Sequence, residues 1–483
     1  MIDLRPLQEE AILSVRRAYT EGHRSVLLYG PCGFGKTVCF SWLSCKYVEA
    51  DQRVVIIAHR DELVQQISRT LNSFGVPHTF AAAGYAYDSR FRVVVASAMS
   101  LVNRLDRLPV PDLVIVDEAH HCIAGNSWGK ILSHWGSVRT LGVSATPCRA
   151  DGRGLGEVFQ KLVLGPTTAQ LIEQGWLSKY RIFAPPGIDT EGLHKRGGDY
   201  VISEVEQRAA KPTITGDAIT HYKKLADGKR AVVFCVSVAH AEAVAAGFRD
   251  AGIGAMCVDG SMHRELRRMA IRDFETGRTP ILTSCSLVSE GFDVPAIECA
   301  ISLRPTASTG LWLQQVGRAL RIAPGKNEAI ILDHAGNTHK HGMPDDDRQW
   351  SLEGLAKGAG AGASNKRCPI CFAVAPRTAK VCKECGHEFI HESRESTVKQ
   401  VDGELSEVTR EQRRRRLEQV QATDLKSLLE LAKMRGYRNP EAWVSAVMRG
   451  RRESKKRRQV RALDGDKHGD VVQGELVPRE GEV

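Results

Sequence analysis

The chain has 483 residues, 42% of them hydrophobic, and a formal net charge of +10. At roughly 150 residues per domain that length implies about three domains with ordinary globular cores, which excludes a single-core or wholly disordered protein. The positive balance suits a polyanion partner such as nucleic acid, although many proteins are mildly basic.

No apolar run approaches the roughly 18 residues a membrane span needs, and the opening Met1-Ile-Asp-Leu-Arg-Pro6 lacks a basic-then-apolar leader pattern. Nine of the thirteen cysteines are scattered singly and four are paired near the C-terminus. That usage points to a reducing cytosol and a metal site, not a disulfide scaffold.

In chain order, Leu4 to Ile12 opens an amphipathic helix with Arg5 and Gln8 at its start. A Gln amide can pair with both N6 and N7 of adenine. On a surface helix it would be solvent-facing, but its place just upstream of the next motif favours nucleotide contact.

The run Val26 to Tyr29 is apolar and strand-like. It leads into Gly30-Pro-Cys-Gly33-Phe-Gly35-Lys36-Thr37, the GxxxxGK[ST] phosphate loop. Its glycines let backbone N–H groups turn inward around phosphate oxygens. The following helix aims its positive end at the same anion. Lys36 is expected to reach the β- and γ-phosphates of ATP, and Thr37 to ligate Mg²⁺.

Further buried strands are predicted at Val54–Ala58, Val93–Ala96 and Leu113–Val116, with a crossover helix over Glu62–Phe74. The strand Leu113–Val116 runs directly into Asp117-Glu118-Ala119-His120. Acids at the C-terminal edge of a parallel strand lie where open α/β sheets bind ligands. Asp117 is placed to hold Mg²⁺ and Glu118 to take a proton from the attacking water. Another strand ends in Ser144-Ala-Thr146-Pro147, whose hydroxyls are placed to report the phosphate state to a neighbouring domain.

Phosphate loop, Asp-Glu-Ala-His and Ser-Ala-Thr-Pro in this order resemble a superfamily 2 DEAH-box helicase or translocase. Ala58–Gln66 resembles motif Ia and Val94–Leu101 the strand-edge motif after it. The resemblance implies that both lie on a nucleic-acid face, and that His120, Ser144, Thr146 and Gln314 couple the nucleotide site to that face.

A second alternation of strands and helices follows without a phosphate loop of its own. The alternation gives an α/β fold, and the helicase resemblance implies two tandem RecA-like domains with parallel sheets; a small zinc ribbon and a basic helical tail are expected after them. Ser289–Pro295 resembles motif V, which implies a place near the nucleotide sugar for Asp293. Gln314-Gln-Val-Gly-Arg318-Ala-Leu-Arg321 resembles motif VI. Arg318 and Arg321 are three apart and share one helix face. Delivered from a second domain, they would neutralise charge building on the γ-phosphate, worth ~10³ to 10⁵ in rate in related enzymes.

Past a Gly/Ala-rich stretch come Cys368-Pro-Ile-Cys371 and Cys382-Lys-Glu-Cys385. Two such pairs suit tetrahedral Zn²⁺ on four thiolates, a closed structural site. Arg413–Arg416 and Lys455–Arg458 flank an amphipathic stretch, Leu425–Met448, broken near Gly436. Basic runs are often solvated, but nucleic-acid contact is the reading adopted for this pair.

The expected boundaries are 1–165 for the ATP-binding domain, 166–200 for a connection and 201–342 for the second domain. A linker at 343–365, the ribbon at 366–391, a basic helical hairpin at 410–460 and a disordered tail from 461 to 483 follow. Leu303–Thr306, Ala323–Lys326 and Ile331–Asn337 are similar to the bacterial RadD-type DNA-repair helicases and their phage relatives. That resemblance implies a DNA-stimulated ATPase acting on single-stranded or forked DNA largely without sequence preference. It also implies a bacterial or phage-encoded cytoplasmic setting, and a protein partner is expected through the ribbon or tail. An RNA helicase or nucleoprotein remodeller, and a DNA-binding scaffold switched by ATP, are the competing readings.

Overall fold

Short runs of β-branched residues build the first sheet of the computed structural model. They are β1 (Ser25–Tyr29), β2 (Val54–Ala58), β3 (His78–Ala81), β4 (Val93–Ser97), β5 (Leu113–Asp117), β6 (Arg139–Ser144) and β7 (Lys161–Leu164). Their order is β3-β4-β2-β5-β6-β1-β7, and every pairing is parallel. Helices cover both faces, so β2 and β5 are buried at every position. Among these helices are α1 (Pro6–Thr20), α2 (Lys36–Glu49) and α3 (Asp61–Ser73). This is the expected first RecA-like lobe.

The second sheet takes β8 (Tyr180–Phe183), then, past the short hairpin β9 (Lys195–Arg196) and β10 (Asp199–Tyr200), β11 (Ala231–Phe234), β12 (Ala255–Cys257), β13 (Ile281–Ser284), β14 (Cys299–Ser302) and β15 (Ala329–Asp333). Its order is β12-β13-β11-β14-β15-β8, again all parallel. The two tandem lobes are thus RecA-like with parallel sheets.

The structure describes residues 3–185, 190–209, 212–285, 296–355 and 365–389, together with residues 422, 424–436, 439–441, 444, 445, 447 and 448. Residues 1–390 form one compact unit and those from 391 onward a second, each considered by itself. Among the described residues no helix is long and apolar enough to cross a membrane.

Two boundaries differ from expectation. Residues 180–183, assigned to the connection, are β8 and form the edge of the second sheet beside β15. Residues 343–355, assigned to the linker, carry the short strands Trp350–Ser351 and Gly354–Leu355. They return to the first lobe, where the Gly154 and Gly156 amides donate to Glu353 O and Leu352 O at 3.0 and 2.9 Å. Trp350 is buried with its ring 5.7 Å from that of Tyr29, at the end of β1. Apolar Trp350 and Leu352 outweigh the glycines that suggested a free linker.

The ribbon, finally, docks on β8. The Ala184 amide donates to Phe372 O at 3.0 Å, and Arg181 pairs with Glu384 at 3.0 Å.

In the C-terminal unit, helix Leu425–Met434 is capped by the Asp424 carboxylate, which accepts from the Ser427 amide at 2.8 Å. It buries Leu428, Leu431 and Ala432 with Val444, and Gly436 follows its end at φ +71°. The two basic runs and residues 461–483 lie outside the described residues.

Candidate functional site: a cleft between two lobes

β1 ends in the phosphate loop and α2 begins at Lys36, its N-cap Gly35 at φ +88°. Gly33 is also left-handed at φ +84°. A Cβ on Gly33 would stand 2.5 Å from Leu177 Cδ2, and one on Gly35 would stand 2.5 Å from Gln8 Nε2. The left-handed backbone favours glycine at both positions, and a side chain there would also have to displace Leu177 or Gln8. The Lys36 ammonium donates to Gly30 O at 2.9 Å and to Pro31 O at 3.4 Å, which folds it over the loop.

Gln8 is buried and ties α1 to the loop. Its Nε2 donates to Phe34 O at 2.9 Å, and its Oε1 accepts from the Arg5 amide at 3.0 Å. Each end of the amide keeps one further bonding position for a base. The Arg5 guanidinium lies 3.9 Å from the ring centroid of Trp176.

Two strands away, β5 delivers Asp117 and Glu118. Asp117 is buried, and its Oδ1 accepts from the Glu118 amide at 3.0 Å. Burial pushes its carboxyl above the ordinary range; Glu118 adds to this, and Lys36 offsets part of it. As the carboxylate, Asp117 would join the Thr37 hydroxyl, which lines the same cleft, as oxygen donors of the kind Mg²⁺ takes. Glu118 sits at φ +50°, a conformation that non-glycine residues rarely adopt. That turn aims its carboxylate back at the cleft.

Glu118 Oε2 lies 3.3 Å from His120 Nδ1, which is 3.1 Å from Ser144 Oγ. The Ser144 hydroxyl donates to Thr146 O at 2.7 Å, and its oxygen accepts from the Thr146 amide at 3.1 Å. With that hydroxyl proton committed, His120 Nδ1 is the donor to Ser144. The relay ends at the lobe boundary, where a Cβ on Gly310 would lie 3.1 Å from Thr146 Oγ1.

Helix Thr309–Ala319 carries Gln314 and Arg318 across that boundary, and Arg321 follows its end. Gln314, Arg318 and Arg321 line one cleft of about 320 Å³ together with Arg5, Gly33, Gly35, Lys36, Thr37, Asp117 and Glu118. Arg318 is buried, and burial draws the Arg321 guanidinium below its ordinary value. Loop, acids and arginines, all singled out in the sequence, therefore share one cavity. Arg267 and Glu62 also pair across the lobes at 3.0 Å.

Sequence reasoning missed the crossover Trp176-Leu177, which lines the cleft; a tryptophan after Gly175 was the available signal. It also assigned all of Ala58–Gln66 to a nucleic-acid face, whereas Leu63 and Gln66 of α3 border this cleft. Asp293 and the rest of Ser289–Pro295 lie outside the described residues.

Residues 1–149 match the family described as type III restriction enzyme, res subunit, and residues 212–323 match the helicase conserved C-terminal domain. A 51.5 kDa protein of a Lactococcus phage is 33% identical over 86% of this chain and 89% of its own length. The chain belongs to the superfamily 2 helicases. Domains of this family imply ATP hydrolysis with Mg²⁺.

Two solved structures share the helicase fold. A fragment assigned as an HsdR subunit of a type I restriction enzyme from Vibrio vulnificus aligns with a TM-score of 0.56 at 22% identity, over 69% of this chain and 64% of that one. The type ISP restriction-modification enzyme LlaBIII, bound to DNA, aligns with a TM-score of 0.52 at 18% identity, over 68% of this chain and 27% of that one. The helicase thus spans a minor part of LlaBIII.

The four paired cysteines of the helicase also converge. Cys368 and Cys385 Sγ are 3.6 Å apart, as are Cys371 and Cys382, and all four lie within 4.8 Å of one another. Tetrahedral Zn²⁺ with bonds near 2.3 Å sets its sulfurs roughly 3.8 Å apart, so the cluster fits that ion. Each knuckle turns through a left-handed residue after its second cysteine, Phe372 at φ +61° and Gly386 at φ +74°.

Proposed function

We propose that this helicase is a DNA-stimulated ATPase that converts ATP hydrolysis into movement along DNA. The supporting observation is the composite cleft, in which Lys36, Thr37, Asp117 and Glu118 of one lobe meet Gln314, Arg318 and Arg321 of the other. Neither lobe alone supplies both the phosphate cradle and the cations for the charge that develops on hydrolysis.

In this reading the loop amides and Lys36 bind the triphosphate. Thr37 and Asp117 would hold Mg²⁺, which when bound neutralises phosphate charge. Glu118 accepts the proton of the attacking water, while Arg318 and Arg321 stabilise the departing phosphoryl oxygens. Loss of the γ-phosphate removes the link between the lobes and lets them part. The relay from Glu118 through His120 and Ser144 to Thr146 carries that change to Gly310 of the second lobe.

DNA is preferred over RNA as the track because LlaBIII, which shares the fold, is described as bound to DNA. Grip on the sugar-phosphate backbone makes single-stranded or forked DNA of any sequence a substrate. Zn²⁺ on Cys368, Cys371, Cys382 and Cys385 is structural, and the ribbon or tail is the surface for a protein partner. The role is DNA repair, recombination or phage DNA metabolism in a bacterial cytoplasm.

The test is ATP turnover compared across single-stranded, duplex and forked DNA and RNA. Single-stranded or forked DNA should stimulate and RNA should not. Lys36→Ala and Glu118→Gln should abolish turnover and leave DNA binding measurable. Stimulation by RNA alone, or normal turnover in either variant, defeats the proposal.

A further inference from the structure

Helix Thr309–Ala319 presents its last carbonyls at the point where Arg321 leaves for the cleft. Carbonyls at a helix C-terminus have no partner within the helix and carry a negative dipole end. Lys326, half-buried, answers them. Its Nζ donates to Ala319 O, to Arg321 O at 2.6 Å and to Ile297 O at 2.7 Å. Three carbonyls match the three N–H donors of an ammonium group.

The crossover between the lobes grips the same stretch from the other side. The Ser178 amide donates to Leu320 O at 2.7 Å, and its hydroxyl donates to Arg321 O at 3.2 Å. Leu177 pairs with Arg321 in an isolated antiparallel bridge. The Arg321 backbone is thus held by Lys326 and by Leu177-Ser178, while its side chain lines the cleft beside the phosphate loop.

We propose that Lys326 is a positioning residue for hydrolysis: with Ser178 it fixes the carbonyl end of the arginine-bearing helix and so sets the aim of Arg321. This rests on the reading of the cleft as the hydrolysis site. The link to rate is geometric, because displacing a reacting or stabilising group by ~1 Å costs on the order of 100-fold.

The ammonium is also within titration range. Burial lowers the Lys326 pKa to about 8; Glu298 opposes this, while Arg230, Arg321 and Lys229 add to it. Above that pH a neutral amine has two N–H groups for three carbonyls, and the clamp loses one bond. Arginine at this position keeps the charge and removes the titration.

The experiment compares the full-length wild type, Lys326→Met, Lys326→Arg and Ser178→Ala by steady-state ATP turnover from below to above pH 8. Hydrogen exchange across residues 316–322 is measured in parallel. Lys326→Met should lower kcat roughly 10- to 100-fold with KM for ATP within about twofold, and Lys326→Arg should recover most of it. Ser178→Ala should fall in between.

Wild-type turnover should decline through the alkaline limb near pH 8, and that limb should vanish in Lys326→Arg. Exchange at 316–322 should quicken in Lys326→Met, stay slow in Lys326→Arg, and be unchanged in the strands of the first sheet. Wild-type kcat in Lys326→Met, or a fall in kcat with exchange at 316–322 unchanged, overturns the proposal. A wild type that does not turn over ATP defeats the cleft reading instead, and exchange alone then decides whether Lys326 holds the helix end.

Discussion

Gly317 faces Cys32 so closely that a methyl on its α-carbon would come within 2.6 Å of the Cys32 β-carbon. The two residues belong to different lobes, one on the arginine-bearing helix and the other in the phosphate loop. Closure of the cleft therefore has a steric limit set by a single hydrogen. Gly317→Ala should hold the lobes apart by the width of a methyl group. Overpacking of this kind costs roughly 1–3 kcal/mol, so kcat/KM for ATP should fall about 10- to 100-fold. Removing the opposing β-carbon with Cys32→Gly in the same chain should restore part of the loss. A double-mutant cycle measures that recovery; purely additive losses would show that the two residues do not meet in the working state.

The relay makes a different prediction. Ser144 Oγ is bonded to His120 Nδ1, the Thr146 amide and Thr146 O, and Thr146 lies against Gly310 of the second lobe. Ser144→Ala removes the junction but none of the groups that line the cleft. Basal ATP turnover should stay within a few-fold of wild type, while stimulation by single-stranded DNA should drop by about tenfold or more. Leaving the Thr146 amide and His120 unsatisfied should also cost about 1–3 kcal/mol in urea unfolding. Equal loss of basal and stimulated rates would assign Ser144 to hydrolysis instead of coupling.

Much of this architecture was legible because both faces of the sheets are covered. Such strands read as unbroken runs, such as Val54–Ala58 and Leu113–Val116, and polar residues that interrupt them at a strand end stand out. Asp117 and Glu118 were conspicuous for that reason. Edge and return elements were hidden for the opposite reason. Tyr180–Phe183 contains an arginine and is the edge strand of its sheet, beside β15, so it carries no unbroken apolar run. Trp350 and Leu352 sit among charged residues and glycines, and their packing depends on a lobe more than 180 residues earlier. Likewise the spacing of Lys326 from Arg321 says nothing until the helix end and the turn at Gly325 bring its ammonium back to those carbonyls.

Zinc should matter to the motor and not only to the ribbon. The ribbon lies on β8, where the Ala184 amide donates to Phe372 O and Cys368 is fully buried. Cys385→Ser should lower zinc from one equivalent per chain in elemental analysis and loosen that contact. Hydrogen exchange at residues 180–184 should then quicken, and the unfolding midpoint of the second lobe should fall by several degrees. Full zinc occupancy in the variant, or unchanged exchange at 180–184, would separate the cluster from the sheet edge.

Two buried histidines set the acid limit of the second lobe. His341 is held as the neutral ring, with Nε2 donating to Thr306 O at 2.9 Å and Nδ1 accepting from the Thr309 hydroxyl at 3.0 Å. Burial lowers its pKa from 6.5 to about 4, and lowers that of His334 to about 3 with help from His221. The unfolded chain therefore binds more protons than the folded one between 6.5 and these lowered values, and stability must fall as pH falls through that window. For His341 the loss amounts to about 2 kcal/mol by about pH 5 and on the order of 3 kcal/mol below its folded pKa. His341→Gln retains a donor and an acceptor without the titration. Urea unfolding at a series of pH values should show a shallower acid slope for His341→Gln than for wild type, because carboxylates contribute equally to both. Parallel slopes would mean that His341 is solvated in the folded protein, and its hydrogen bonds to Thr306 and Thr309 would then have to open readily in solution.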